Sequence, residues 1–244
     1  MFKMFKKCLI LIITLLLCGC KDITGNFSGG EQTTAPPPNE NETYTNYASF
    51  VQDEDFLLKS VFIGDSIFRD FADSGVLTTG LVYAINGVKV GEITEKRFPL
   101  PSGDGEIDLL TALANEKPEN VFILLGTNNA AVYGMNGIEA FTNDYLHLIT
   151  LIKTYSPQSS ITALSITPVN KEREGFDNML IDAYNNALEA AISELRDEDV
   201  RFLCMNSELK NPQGMLKSRY GQSDGIHLTT SAYHAILWLI CNSV

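Results

Sequence analysis

A serine hydroxyl becomes a nucleophile at neutral pH only beside a general base, which is itself oriented by a third group. This chain carries the three types far apart in sequence. Ser66 closes the corner Gly64-Asp65-Ser66, directly after the apolar run Val61-Phe62-Ile63. Near the C-terminus, Asp224-Gly225-Ile226-His227 offers a carboxylate one turn back from an imidazole. In that pattern Ser66 attacks, His227 takes its proton, and Asp224 accepts from the far ring nitrogen to fix the tautomer. Each piece also has a plainer reading: Gly-Asp-Ser suits an ordinary turn or a helix N-cap, and His227 a surface position beside the cap residue Thr229.

A tetrahedral intermediate would also need donors aimed at its oxyanion. The candidates are the backbone N–H groups of Ser66 and Gly91 and the side-chain amide of Asn128. Gly91 also fits a turn glycine like Gly87, and Asn128 a loop asparagine bonded to its own backbone. The remaining histidines, His147 and His234, lie within helix-patterned stretches and are expected to face solvent or pack. With no paired cysteine spacing, nothing resembles a zinc site. Gly221-Gln222-Ser223-Asp224-Gly225 matches Gly-x-Ser-x-Gly, but no strand precedes it and almost no chain follows to supply an acid and a histidine.

The elements that must position these groups alternate along the chain. Strands are expected at Ser60–Gly64, Leu81–Ile85, Asn120–Leu125, Ser160–Ile166 and Val200–Cys204. Between and after them, helical patterns run over Phe68–Ser74, Asp104–Glu116, Gly137–Tyr155, Asp177–Leu195 and Thr229–Asn242. Alternation of this kind means a parallel sheet covered on both faces, with ligands beyond the carboxyl ends of the strands. Ser66, Gly91, Asn128 and His227 all fall there. If the strand order is 2-1-3-4-5, Ser66 and Asn128 flank the switch point.

Four blocks in order resemble the SGNH hydrolases, the GDSL esterase/lipase superfamily. Gly64-Asp65-Ser66 resembles the first block and Asn86-Gly87-Val88-Lys89-Val90-Gly91 the second, whose last glycine supplies an oxyanion N–H. Gly126-Thr127-Asn128-Asn129 is similar to the third, whose first asparagine supplies the amide. Asp224-Gly225-Ile226-His227-Leu228-Thr229 is similar to the last, with acid and base. The resemblance runs from about Ser60 to the C-terminus. It implies a flavodoxin-like three-layer α/β/α sandwich with a five-stranded parallel sheet, and ester hydrolysis through an acyl-enzyme without metal or cofactor. The third block usually ends Asn-Asp; Asn129 retains the amide before it, so altered loop support is expected rather than lost chemistry.

Of the 244 residues, 45% are hydrophobic and the formal charge is −12. Residues 1–19 have lysines at 3, 6 and 7, then an uncharged run from Cys8 to Cys18 too short to span a bilayer, as in a secretory leader. The ending Leu17-Cys18-Gly19-Cys20 resembles the bacterial lipobox, which makes Cys20 the expected lipidation site and membrane anchor, with a plain signal peptide as the alternative. Removing Lys3, Lys6 and Lys7 leaves 15 basic against 30 acidic residues, which disfavours nucleic acid as a partner. Residues 20–46, rich in Gly, Ser, Thr, Asn, Glu and Pro, read as a flexible stalk, and 47–244 as one domain. Cys204 and Cys241 sit in apolar contexts and are expected as buried thiols, a disulfide between them being the alternative.

The expectation is therefore an extracytoplasmic serine esterase anchored at Cys20, acting on small-molecule or glycan esters, with O-acetyl groups on carbohydrate favoured. A lipase or lysophospholipase-type acyl hydrolase and a non-catalytic glycan-binding lipoprotein are the alternatives. A two-lobed solute-binding lipoprotein would need a longer domain. Ile67, Arg69, Tyr133 and Met135 are candidates to line the substrate site, each with a structural or solvent-facing alternative.

Overall fold

A computed structural model describes residues 45–100, 103–172 and 176–243. The expected leader at 1–19, the expected lipidation site Cys20 and nearly all of the expected stalk at 20–46 lie outside the described residues.

A short helix, α1 (Glu54–Leu58), leads into β1 (Ser60–Gly64), α2 (Ser66–Asp73) and β2 (Leu81–Ala84). A hairpin of β3 (Arg97–Pro99) and β4 (Glu106–Asp108) precedes α3 (Leu109–Glu116), followed by β5 (Asn120–Leu124) and α4 (Thr127–Tyr133). The chain then runs through α5 (Ile138–Tyr155), β6 (Ser160–Leu164), α6 (Asn178–Leu195), β7 (Val200–Leu203), α7 (Asn206–Leu209) and α8 (Thr230–Asn242). Five strands form one parallel sheet in the order β2-β1-β5-β6-β7, while β3 and β4 pair antiparallel as a separate two-stranded sheet. Numbered among themselves, the sheet strands run 2-1-3-4-5, the doubly wound order expected from the sequence.

The central strands are apolar because both of their faces are covered. All residues of β1 and β5 are buried, and their side chains alternate between two cores. Val61, Ile63, Val121 and Ile123 face a layer that includes Leu113, Leu148 and Leu188 from α3, α5 and α6. Phe62 and Phe122 face the opposite layer, with Phe68 and Phe71 of α2 and Tyr233 of α8. There Phe62 stacks on Phe122 at 5.4 Å between centroids and meets Phe68 edge-on at 5.7 Å, while Phe71 stacks on Tyr233 at 5.4 Å. Burying a side chain of this size is worth about 1.5–3 kcal/mol. The aromatic cluster thus anchors α2, and with it the residue at its start.

Several local expectations change. The helix foreseen over Asp104–Glu116 begins only at Leu109, because Glu106–Asp108 pairs with Arg97–Pro99 and Asp108 Oδ1 caps the helix by accepting from the Thr111 N–H at 2.9 Å. The helix expected over Phe68–Ser74, α2, starts at Ser66, earlier than its apolar pattern indicates, and four sheet strands end one or two residues early. Cys241 keeps a free, half-buried thiol and forms no disulfide with Cys204, whereas Cys204 is itself disulfide-bonded and not the thiol expected, and neither cysteine is fully buried. Burial still pushes the Cys241 thiol up to about 11.

Candidate active site

The switch point between β1 and β5 sets the site. Their registers pair Gly64 with Leu124, so the residues just beyond each strand leave the sheet side by side. Gly64 lets α2 turn back tightly over its own strand: a Cβ there would lie 2.7 Å from Phe68 Cβ. Asp65, not Ser66, is the N-cap, accepting the Ile67 N–H at 3.0 Å. Ser66 is the first helical residue, and its hydroxyl is left for other work.

Asp224 and His227 arrive on a tight loop rather than a helical turn. An antiparallel bridge joins Gly221 to Leu228, and the Gln222 N–H donates to the His227 carbonyl at 2.8 Å. The segment after β6 clamps this loop from outside. The Asn170 N–H donates to Gly225 O at 3.0 Å and Lys171 Nζ donates to Ser223 O at 2.9 Å. Gly225, at φ +84°, is pressed so closely on Lys171 that a Cβ would collide with the lysine's own Cβ.

The loop brings the distant groups together. His227 Nε2 lies 3.1 Å from Ser66 Oγ, and His227 Nδ1 lies 2.5 Å from Asp224 Oδ2. Asp224 Oδ1 accepts the N–H groups of Ile226 at 2.9 Å and His227 at 3.0 Å. Partial burial works against ionisation of Asp224, but the bonds from the imidazole and the two backbone N–H groups outweigh it and hold its pKa to about 2. A carboxylate ionised at neutral pH requires the Nδ1–H tautomer, which leaves the Nε2 lone pair facing the serine. His147 on α5 and His234 on α8 take no part in this arrangement, and Ser223 is exposed with no strand before it.

Asn128 lies in the first turn of α4, and its Nδ2 donates to Asp65 Oδ2 at 3.1 Å and to Val88 O at 3.2 Å. Asn129, only 2% exposed, accepts the Val90 N–H through Oδ1 at 3.1 Å. The two asparagines therefore moor the Val88–Gly91 loop against the serine corner. Asn129 does this with the oxygen that a carboxylate would also offer, which explains how an amide serves in that position. Among the described residues, no protein acceptor engages the backbone N–H of Ser66 or Gly91. Both remain open as donors.

Asp65 went unassigned in the sequence, where its buried state could not be seen. It is 1% exposed, and desolvation pushes its pKa up to about 6 against the opposing pull of the Ile67 N–H, His227 and Asn128. Of the four candidates for the substrate wall, Ile67 is buried in the core and Arg69 points outward to Asp73 at 3.3 Å. Tyr133 and Met135 are exposed just beyond Asn128 on the same segment, as is Val132. Among the described residues, no group of three or more His, Cys, Asp or Glu side chains converges as metal ligands would.

Residues 62–235 match the model of the GDSL-like lipase/acylhydrolase family. No curated protein sequence matches the chain. Among solved structures, a GDSL-like lipase from Bacteroides thetaiotaomicron superposes with a TM-score of 0.59 at 18% identity, covering 81% of this chain and 92% of its own. A family 3 carbohydrate esterase from Talaromyces cellulolyticus gives 0.52 at 15%, covering 75% and 95%. The family 3 carbohydrate esterase of Clostridium thermocellum gives 0.53 at 15%, covering 74% and 92%. At these identities the superpositions establish a shared fold.

Proposed function

Because this chain belongs to the GDSL-like lipase/acylhydrolase family, an ester-hydrolysing group, we propose that it cleaves carboxylic esters by a serine mechanism centred on Ser66. The continuous contact from Ser66 through His227 to Asp224, at 3.1 and 2.5 Å, carries this reading. Ser66 Oγ attacks the ester carbonyl as its proton passes to His227 Nε2, and Asp224 stabilises the imidazolium that forms. The intermediate's oxyanion is held by the N–H groups of Ser66 and Gly91 and by the Asn128 amide. Collapse breaks the ester C–O bond, the departing alkoxide takes the proton from Nε2, and the acyl group stays on Ser66. Water, deprotonated by His227, then releases the acid and restores the serine.

The substrate we favour is an O-acetyl group on carbohydrate, encountered outside the cytoplasmic membrane by a protein tethered at Cys20. The leader and lipobox pattern supports that location, and carbohydrate esterases among the structural neighbours are compatible with the substrate. A lipase-type preference for longer acyl groups has one observation in its favour: Val132, Tyr133 and Met135 are 62%, 49% and 63% exposed on the segment that begins at Asn128. The test is turnover of p-nitrophenyl acetate, butyrate and octanoate by the purified protein and by Ser66→Ala. Loss of all turnover in Ser66→Ala supports the serine mechanism, and undiminished turnover overturns it. A rise in kcat/KM with chain length favours the lipase reading, and a fall favours acetyl removal.

A further inference from the structure

Asn128 can serve an oxyanion only if its nitrogen, not its oxygen, faces the serine corner. The two ends of a primary amide are almost the same size, so shape alone does not choose between them. Hydrogen bonding does. The Nδ2 end meets Asp65 Oδ2 at 3.1 Å and Val88 O at 3.2 Å, two acceptors that would both repel Oδ1.

These acceptors are not equivalent. Val88 offers a neutral carbonyl on a loop, whereas Asp65 is a carboxylate 1% exposed, whose other oxygen is fixed by the Ile67 N–H at 3.0 Å. A bond to an ionised acceptor is roughly twice as strong as a neutral one, and leaving a buried carboxylate unpaired is costly. When an oxyanion forms, the contact to Val88 is the one that yields a hydrogen, while the bond to Asp65 persists.

We propose that Asp65 is a positioning residue for ester hydrolysis: it fixes the flip of the Asn128 amide and acts as the pivot from which one N–H turns to the oxyanion. This rests on the reading of Ser66 as nucleophile and Asn128 as oxyanion donor. It separates two tasks of one carboxylate, since Oδ1 caps α2 and Oδ2 holds Asn128. Serine at position 65 can still cap the helix, but has no second oxygen for Asn128. Asparagine at 65 can also cap through Oδ1, and then turns an NH2 group toward Nδ2, donor against donor.

The experiment is a double-mutant cycle on p-nitrophenyl acetate hydrolysis, with Asp65→Ser and Asp65→Asn each made alone and with Asn128→Ala, and Ser66→Ala as the reference. Thermal unfolding confirms which variants fold, and either Asp65 variant suffices for the cycle. We expect kcat to fall about 100-fold in each single variant, the loss typical of one oxyanion donor, with KM within about threefold. In the Asn128→Ala background, the same Asp65 substitutions should lower kcat by less than about threefold. Full repetition of the loss in that background would place the action of Asp65 in helix capping and overturn the proposal. So would retention of kcat in a folded Asp65 variant. If Asn128→Ala keeps full kcat, the proposal falls with the donor role of Asn128, while loss in Ser66→Ala leaves the serine mechanism standing.

Discussion

Replacing Asp224 by asparagine tests whether the carboxylate sets the tautomer of His227 or merely supports the loop. Its two oxygens do different work. Oδ1 accepts the Ile226 and His227 N–H groups at 2.9 and 3.0 Å, and Oδ2 accepts from His227 Nδ1 at 2.5 Å. In Asp224→Asn the amide oxygen takes the Oδ1 place, because only an acceptor satisfies two backbone donors. The amide NH2 is then forced toward Nδ1, which must become an acceptor. The ring proton moves to Nε2 and points at Ser66 Oγ, 3.1 Å away, so the base loses its lone pair. An imidazole locked in the wrong tautomer costs about 10⁴ in turnover in the well-studied serine protease case, about 5 kcal/mol of barrier. Steady-state hydrolysis of p-nitrophenyl acetate at pH 8 should therefore fall by three to four orders of magnitude, roughly the protease figure. The melting temperature should stay close to that of the unaltered protein, since the loop keeps both backbone bonds. Activity within tenfold of the unaltered protein would refute this account of the tautomer, and a large fall in melting temperature would refute the division of labour between the oxygens.

Three further outcomes follow from the site. Gly225→Ala places a Cβ against Lys171 at a φ of +84°, and should lower stability by about 1–3 kcal/mol in urea unfolding and reduce kcat by loosening the loop of Asp224 and His227. Asn129→Asp keeps an oxygen for the Val90 N–H and should leave kcat within about threefold, whereas Asn129→Leu removes the acceptor and should cost about 1–3 kcal/mol and slow turnover. Stability should also respond to pH through Asp65, whose folded pKa of about 6 lies above the unfolded value of 3.8. The folded state then holds the extra proton between those values, so stability falls as pH rises from about 4 to 6, by no more than about 3 kcal/mol. Chemical denaturation of unaltered protein and Asp65→Asn across that range should show a slope that the variant lacks.

The sheet was legible because its strands are buried on both faces. Continuous runs such as Val61-Phe62-Ile63 and Val121-Phe122-Ile123 admit few other places in a protein of this size. Elements whose formation depends on a partner were not. Glu106–Asp108 has no strand pattern of its own and is extended only because Arg97–Pro99 lies beside it. Thr127–Tyr133 carries two asparagines and two β-branched residues, Thr127 and Val132, that disfavour a helix locally, yet it coils where β5 ends and its first turn packs inward, with Thr127, Asn129 and Ala130 buried.

The same division runs through the site. The meeting of Ser66, His227 and Asp224 was readable because their residue types stand out and loop position brings them to one edge of the sheet. Asp65 lay in plain view between Gly64 and Ser66, but its role depends on where its second oxygen points, and that is set by a residue 63 positions away. The clamp from Asn170 and Lys171 is equally invisible, because Asn170 acts through its backbone N–H, which every non-proline residue carries, and Lys171 through an ordinary long side chain. Side chains that react can be recognised by their kind, whereas those that aim them are defined by a direction that exists only after folding. The single Asp65 substitutions and Asp224→Asn therefore probe the same point from opposite sides: the first change which end of an amide faces Ser66, the second which nitrogen of an imidazole does. In both, Ser66, His227 and Asn128 remain present and only the orientation of a side chain is altered. If activity survives both substitutions, residue identity alone suffices at this site; if it is lost in both, orientation supplies several orders of magnitude that no motif records.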